Sequence, residues 1–211
     1  MKEQNKKTGV VMVISGPSGT GKTTISTMLA KTVDNLKFSV SFTTRKKRVN
    51  EIDGESYHFV TREYMEQLRD KGQLLECTEV FDNLYGTSKT QIEEQIMSGK
   101  DIISDTDVQG YMALKSALPE SVVGVFLLPP NKAEVLDRLT KRGGSSIEIA
   151  ERFKAFKEEI SHHDKYDYVI FNDNMDSTLH AVKSVLNAER NKRARNLYTI
   201  YNFINAMNAE Q

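Results

Sequence analysis

The chain has one cysteine, no net charge and no long apolar run, and each shortage removes a class of protein. Cys77 by itself cannot form an intramolecular disulfide, so a disulfide-stapled scaffold is excluded and a reducing compartment is expected. Its thiol reads as a small packing residue rather than a reactive one. The 29 basic residues balance 29 acidic ones, leaving no global field to draw in nucleic acid or an anionic membrane. Any positive potential must be local. The longest apolar stretches, around Val10–Ile14 and Val122–Leu128, fall far short of the ~20 residues that a spanning helix needs. The opening MKEQNKKTG has no apolar centre, does not read as a signal peptide, and makes cytoplasmic residence the expectation. Neither an internal repeat nor a low-complexity linker divides the 211 residues, enough for one domain with a full core and small insertions.

What is present is a phosphate-binding loop of full length, Gly16-Pro17-Ser18-Gly19-Thr20-Gly21-Lys22-Thr23. Val10–Ile14 reads as a buried strand entering it, and Thr24–Lys31, with Ile25, Met28 and Leu29, as the helix leaving it. The glycines let backbone N–H groups wrap a phosphate, and the helix N-terminus adds partial positive charge. Lys22 would neutralise β- and γ-phosphates, and the Thr23 hydroxyl can coordinate Mg²⁺. A chance Gly-rich turn would lack the flanking strand and helix, so the chain is expected to bind a nucleoside triphosphate.

Five short apolar runs predict parallel strands of an α/β doubly wound sheet: Val10–Ser15, Leu36–Phe42, Asp101–Ser104, Val122–Leu128 and Tyr168–Phe171. Capping pairs mark helix starts at Ser88 with Gln91, Asn131 with Glu134, and Ser145 with Glu148. Between Phe42 and Ser88 the alternation breaks. Strands near Tyr57–Val60, Leu74–Val80 and Tyr85–Thr87, with a helix over about Thr61–Lys71, predict an inserted mixed α/β subdomain. Arg138–Arg152, rich in Arg, Lys, Gly and Ser, predicts a mobile loop flanked by helices. Two insertions on one phosphate-binding core imply a second substrate and a lid. His58, His162, His163 and His180 read as surface or packing residues. Near the end, Leu197, Ile200, Tyr201, Ile204 and Met207 recur at helical spacing, which predicts a terminal helix packed on its own core; a self-association surface is the alternative.

After the second strand, Ser41-Phe42-Thr43-Thr44-Arg45-Lys46-Lys47-Arg48 sets four basic residues beside three hydroxyls, where parallel sheets bind ligands. In isolation this would be a solvated basic turn. Here Glu51, Gly54, Tyr57 and Phe59 follow in order. With the phosphate loop, this segment resembles the guanylate kinase family. The likeness continues through Glu76, Asn83–Ser88, Asp105-Thr106-Asp107-Val108-Gln109-Gly110, Arg138–Gly143, Arg152 and Val169–Asp173, and covers about residues 9–190. Asn50, where glycine is common in the family, and Thr106, in place of an aliphatic residue, depart from the pattern without removing a phosphate ligand.

The resemblance implies transfer of the ATP γ-phosphoryl group to GMP, with Mg²⁺ as cofactor. It implies a P-loop core (about 9–38, 89–137 and 153–190) with a five-stranded parallel sheet, a GMP-binding subdomain (about 39–88), a short helical lid (about 138–152) and a C-terminal helix (about 191–211). ATP would be held by Gly16, Pro17, Ser18, Gly19, Thr20, Gly21, Lys22, Thr23, Thr24 and Asn172, the last placed near adenine. The GMP phosphate would be held by Ser41, Arg45, Arg48, Tyr57 and Tyr85, and guanine by Glu76, Thr87 and Asp105. Catalysis would rest on Lys22, Arg45, Arg48, Arg138, Arg142 and Arg152, with Thr23 and an outer-shell Asp105 serving the metal. Asp105 is left with two roles, base and Mg²⁺. The chemistry of these side chains supports the carry-over. Arginine offers a planar fork to phosphate, and a carboxylate can accept both N1–H and N2–H of guanine, which adenine cannot supply. A non-catalytic interaction module would lack the complete loop, Glu76 and Thr87 argue against another monophosphate, and Asn191-Lys192-Arg193-Ala194 fails the guanine-reading pattern of switch GTPases. The expected partners are ATP and GMP, without nucleic acid or membrane, in a monomer or homodimer.

Overall fold

The computed structural model describes residues 8–17, 19–80, 82–141 and 146–209, with Arg138 described for its backbone alone. Ser18, Arg142, the Arg138 side chain and the Ser145 cap therefore lie outside the described residues. The main sheet contains β1 (Val11–Ser15), β2 (Leu36–Phe38), β7 (Asp101–Asp105), β8 (Val122–Leu128) and β9 (Tyr168–Phe171). Its order is β2-β7-β1-β8-β9, and every pairing is parallel. The second sheet, in the order β4-β3-β6-β5, joins β3 (Phe42–Thr43), β4 (His58–Phe59), β5 (Leu74–Val80) and β6 (Asn83–Ser88). Between β4 and β5 runs α2 (Arg62–Asp70), its Thr61 hydroxyl accepting from the Tyr64 N–H.

Burial on both faces explains why β1, β7 and β8 read as continuous apolar runs. On one face Met12, Ile14, Val125 and Leu127 pack with Ile25 and Leu29 of α1 (Lys22–Thr32) and Val182 and Leu186 of α7 (Met175–Arg190). On the other, Val11, Val13 and Phe126 meet Ile92 and Ile96 of α3 (Lys89–Met97) and Tyr111 and Leu114 of α4 (Val108–Ala117). A third cluster, Val135, Leu139 and Phe156, joins α5 (Lys132–Lys141) to α6 (Ser146–Ile160). The Ser88 and Asn131 caps form as expected, accepting from Gln91 at 3.3 Å and Glu134 at 3.0 Å.

Three sequence expectations need correction. The run Leu36–Phe42 is not one strand: β2 ends at Phe38 and β3 begins at Phe42 in the other sheet. An apolar run records burial but not a change of partner, and here the chain crosses between sheets at Ser39–Ser41. Arg138–Arg152 is mostly helix rather than loop, since α5 continues to Lys141 and α6 starts at Ser146. Its Gly-Gly-Ser centre looked like a longer interruption than the flanking Ile147, Ile149 and Phe153 periodicity permits.

The third is the terminal stripe. In α8 (Leu197–Asn208) only Leu197 is half-buried; Ile200, Tyr201, Ile204 and Met207 are exposed. The turn before it is pinned by Arg195, whose guanidinium donates to the carbonyls of Glu120 (2.9 Å) and Ser121 (3.3 Å). Both faces of the sheet are already covered by other helices, so no core surface is left for the stripe. Among the described residues no helix is long and apolar enough to cross a membrane.

Candidate active site

The loop after β1 sits where the main sheet reverses its strand order, the position at which open α/β sheets bind ligands. Gly16 has φ 134°, and a Cβ there would lie 2.3 Å from the Leu127 carbonyl oxygen. Only glycine allows that approach. Gly21, at φ 95°, is the residue before α1 and is hemmed by the Asn172 amide, 2.7 Å from an added Cβ. Thr20 is buried and its hydroxyl donates to the Pro17 carbonyl at 2.9 Å. The Lys22 ammonium donates to the carbonyls of Gly16 (2.6 Å) and Pro17 (3.1 Å). Thr23 and Thr24 lie in the first turn of α1, and the Thr23 hydroxyl donates to the Asp105 carboxylate at the end of β7. Burial pushes the Asp105 carboxyl up; the Thr23 hydrogen bond and the Lys22 charge pull it back.

Asn172 is placed under the loop rather than on its open side. It is buried, its amide donates to the Thr20 carbonyl at 2.7 Å, and its side-chain oxygen accepts from Thr178 at 3.0 Å. β9 and α7 are thereby tied to the phosphate loop.

Two adjoining cavities open between the sheets. One, of about 250 Å³, is lined by Lys22, Thr23, Ser41, Tyr57, Glu76 and Asp107 among others. In it Glu76, on β5, is 8% exposed. Its Oε1 accepts from the Thr87 hydroxyl at 2.6 Å across the β5–β6 pair, and its Oε2 is buried with no hydrogen-bond partner among the described residues. Desolvation pushes its carboxyl up to about 7, the Thr87 hydrogen bond opposing and the Asp107 charge adding to the rise. Thr78 and Val80 follow Glu76 at strand period on the same wall.

The second cavity, about 670 Å³, holds Arg45, Arg48, Glu51, Tyr57, Tyr85 and Asp105. Arg45 and Glu51 form a bidentate pair at 2.7 and 3.0 Å. The same Glu51 carboxylate accepts the Arg48 backbone N–H at 2.8 Å, which closes the basic turn. The Glu51 hydrogen bond is the main reason the Arg45 pKa is raised, and the same hydrogen bond, ahead of the Arg48 N–H and the Arg45 charge, holds Glu51 low. The Arg45 guanidinium lies 5.5 Å from the centre of the Tyr57 ring, which packs edge-to-face with Tyr85, ring centres 5.9 Å apart. Arg45 is thus half-buried and braced, whereas Lys46, Lys47 and Arg48 are exposed. Burial, first, and the Asp105 charge keep the Tyr57 phenol protonated.

The family model described as guanylate kinase matches residues 8–189. The chain belongs to the guanylate kinase family. It is 44% identical over 191 residues to a guanylate kinase of Wolbachia pipientis wMel, covering 90% of this chain and 95% of the relative. It is 42% identical over 193 residues to one from Maricaulis maris, covering 91% and 88%. The crystal structure of guanylate kinase from Anaplasma phagocytophilum matches with TM-score 0.75 and 33% identity, covering 90% of each chain. As a guanylate kinase, the chain carries out phosphorylation of GMP by ATP.

Nine of the residues expected at the site line the two cavities: Lys22, Thr23, Ser41, Arg45, Arg48, Tyr57, Glu76, Tyr85 and Asp105, with Thr87 behind Glu76. Arg152 lies exposed on α6 and lines neither cavity. Sequence reasoning gave no role to Glu51 or Asp107. The signal for Asp107 was its spacing of two from Asp105 at a strand end; in the fold it also caps α4 by accepting from Gly110 at 2.8 Å. Cys77 is half-buried on β5, and burial pushes its thiol up, in keeping with a packing role.

Proposed function

We propose that GMP lies across both cavities, its base against Glu76 and its phosphate in the Arg45–Tyr57–Tyr85 cluster, with ATP on the phosphate loop. The observation that carries this reading is Glu76 Oε2, a buried acceptor without a partner among the described residues, in a cleft that also contains Lys22. A ligand presenting donors to this carboxylate satisfies it, and the N1–H and N2–H₂ edge of guanine has that pattern. Thr87 fixes the acid by donating to its other oxygen. Asp107, whose charge is felt at Glu76, takes the base side, and Asp105, bonded to Thr23 beside Lys22, takes the ATP side.

Among the described residues no group of three or more His, Cys, Asp or Glu could hold a metal. Mg²⁺ bound to nucleotide phosphates needs fewer protein donors, and the hydroxyl–carboxylate pair Thr23 and Asp105 fits that need. When bound, Mg²⁺ would neutralise phosphate charge. Lys22 turns from the loop carbonyls toward the donor phosphates. Arg45 and Arg48 orient the acceptor oxygen, with Ser41, Tyr57 and Tyr85 supplying hydroxyls. Arg138, Arg142 and Arg152 belong to the α5–α6 segment, and as lid residues they would cover the transferring group and exclude water. Asn172 braces the loop from below. In domain terms, residues 39–88 form the GMP-binding unit, 138–152 the lid, and the remainder to 190 the core. Coupled measurement of ADP release with GMP, AMP, UMP and dTMP tests the assignment: turnover should be confined to GMP. Comparable turnover with another monophosphate would remove the Glu76 pocket from recognition.

A further inference from the structure

A further cavity, of about 320 Å³, opens between the main sheet and the α5–α6 pair and shares no lining residue with either substrate cavity. Its walls come from Leu128 and Pro129 at the end of β8, Val135 of α5, Phe153 and Phe156 of α6, and Phe171 on the edge strand β9. Val135 and Phe156 are buried, Phe153 is half-buried and Phe171 is 59% exposed. The Phe153 and Phe156 rings lie parallel within 4°, their centres 6.4 Å apart. An apolar cleft of this size with a few charged groups has the make-up of a small-ligand site.

Among the described residues the polar side chains of the lining are Asn131, Lys132 and Lys157. The Asn131 oxygen is already used, accepting the Glu134 N–H at 3.0 Å as the cap of α5. The two ammonium groups converge, lying 5.7 and 5.1 Å from the centre of the same Phe153 ring. The ring face attracts each cation, yet the two cations repel one another. No acid among the described residues lines the cavity, and neither lysine forms an ion pair with a described residue. On the same helix Lys141 does pair, with Asp137 at 2.7 Å.

We propose that this cavity binds a small aromatic carboxylate, its ring against Phe153, Phe156 and Phe171 and its carboxylate between Lys132 and Lys157. Three phenylalanines favour an aromatic body. The volume, at the low end for ligand sites, suits one ring or a fused pair rather than a nucleotide. Two ammonium groups give each carboxylate oxygen its own partner. The guanidinium forks and wrapped loop N–H groups that suit phosphate are absent from the described lining.

The test uses 2-naphthoate as the probe and 2-naphthylmethanol, with the same rings and no charge, as its control. Titrated into the full chain, 2-naphthoate should bind with Kd at or below about 1 mM, as expected for a ligand of its size, and shift the Val135 and Ile160 methyl NMR signals. The alcohol should bind at least ~10-fold more weakly. The double variant Lys132→Gln/Lys157→Gln should lose at least ~10-fold in affinity for 2-naphthoate while binding the alcohol as wild type does, within about threefold. Its GMP phosphorylation should stay within about twofold of wild type, because both lysines are exposed and lie outside the substrate cavities, so lost binding cannot be lost folding. Saturating ATP and GMP should leave the probe bound. Equal affinity for acid and alcohol, or an undiminished affinity in the double variant, overturns the proposal. So does displacement by ATP or GMP, which would put the probe in a substrate site, or unmoved Val135 and Ile160 methyls at about 5 mM probe.

Discussion

Replacing Glu76 by glutamine keeps the side chain's size and removes its charge from the centre of the cleft. The folded protein holds this carboxyl at about 7, against 4.5 for an exposed one, mainly through desolvation. At 1.36 kcal/mol per pH unit, the ionised form costs up to about 3 kcal/mol of stability. A raised carboxyl binds its proton more tightly folded than unfolded, so the cost is absent below pH ~4.5 and complete above pH ~7. Glu76→Gln should therefore raise the unfolding free energy at pH 8 by about 1–3 kcal/mol, less near pH 5, as read by urea titration. Function should move the opposite way. GMP needs an ionised acceptor for N1–H and N2–H₂, while glutamine brings an N–H₂ group to the same place. A broken charged hydrogen bond with an unpaired donor is worth about 2–4 kcal/mol, or ~30- to 1000-fold in kcat/KM for GMP. Discrimination against AMP should narrow, because adenine N1 can accept from the new amide. Wild-type kcat/KM for GMP should climb with pH and level off above about 7. The variant should lose the part of that climb due to Glu76, keeping only the ionisation of the nucleotide phosphate near pH 6. Steady-state ADP release with GMP and AMP between pH 5.5 and 8.5 measures both effects. An unchanged GMP-to-AMP ratio, or an identical pH profile, would refute the acceptor role of Glu76.

Lys22→Ala should lower turnover at least ~100-fold with the fold intact by circular dichroism, since it removes charge aimed at the transferring phosphates; near-normal turnover would take the loop lysine out of the mechanism. Alanine at Arg45 or at Arg48 should weaken GMP use while leaving the KM for ATP within about threefold. Arg45→Ala should also cost about 1–2 kcal/mol in urea titration, because it strands the largely covered Glu51, side chain 17% exposed, whereas Arg48, itself exposed, should not. Asn172→Ala should raise the KM for ATP about 5- to 30-fold and leave that for GMP within threefold, reflecting a loosened Thr20 carbonyl; equal effects on both substrates would remove the loop-bracing role.

The sequence alone determined what depends on local pattern. Gly16–Thr23 between a strand and a helix specified the phosphate loop, because that loop is built from neighbours in the chain. Doubly buried strands such as Val122–Leu128 declared themselves as apolar runs, and Ser88 and Asn131 declared helix starts through their own side chains. Tertiary structure decided what depends on partners distant in sequence. Leu36–Phe42 gave no sign of passing between two sheets, since burial looks alike in both. Asn172 could be matched to a base-contacting position, yet its amide is 152 residues from the Thr20 carbonyl that it holds, a pairing local pattern cannot display. The same holds for Glu76, an ordinary strand acid by sequence. Its unpaired oxygen and its raised pKa exist only where β5, β6 and Asp107 close around it. The stripe of α8 had a legible period, but whether an apolar face is covered depends on the surface left over by the rest of the fold, and here none remains.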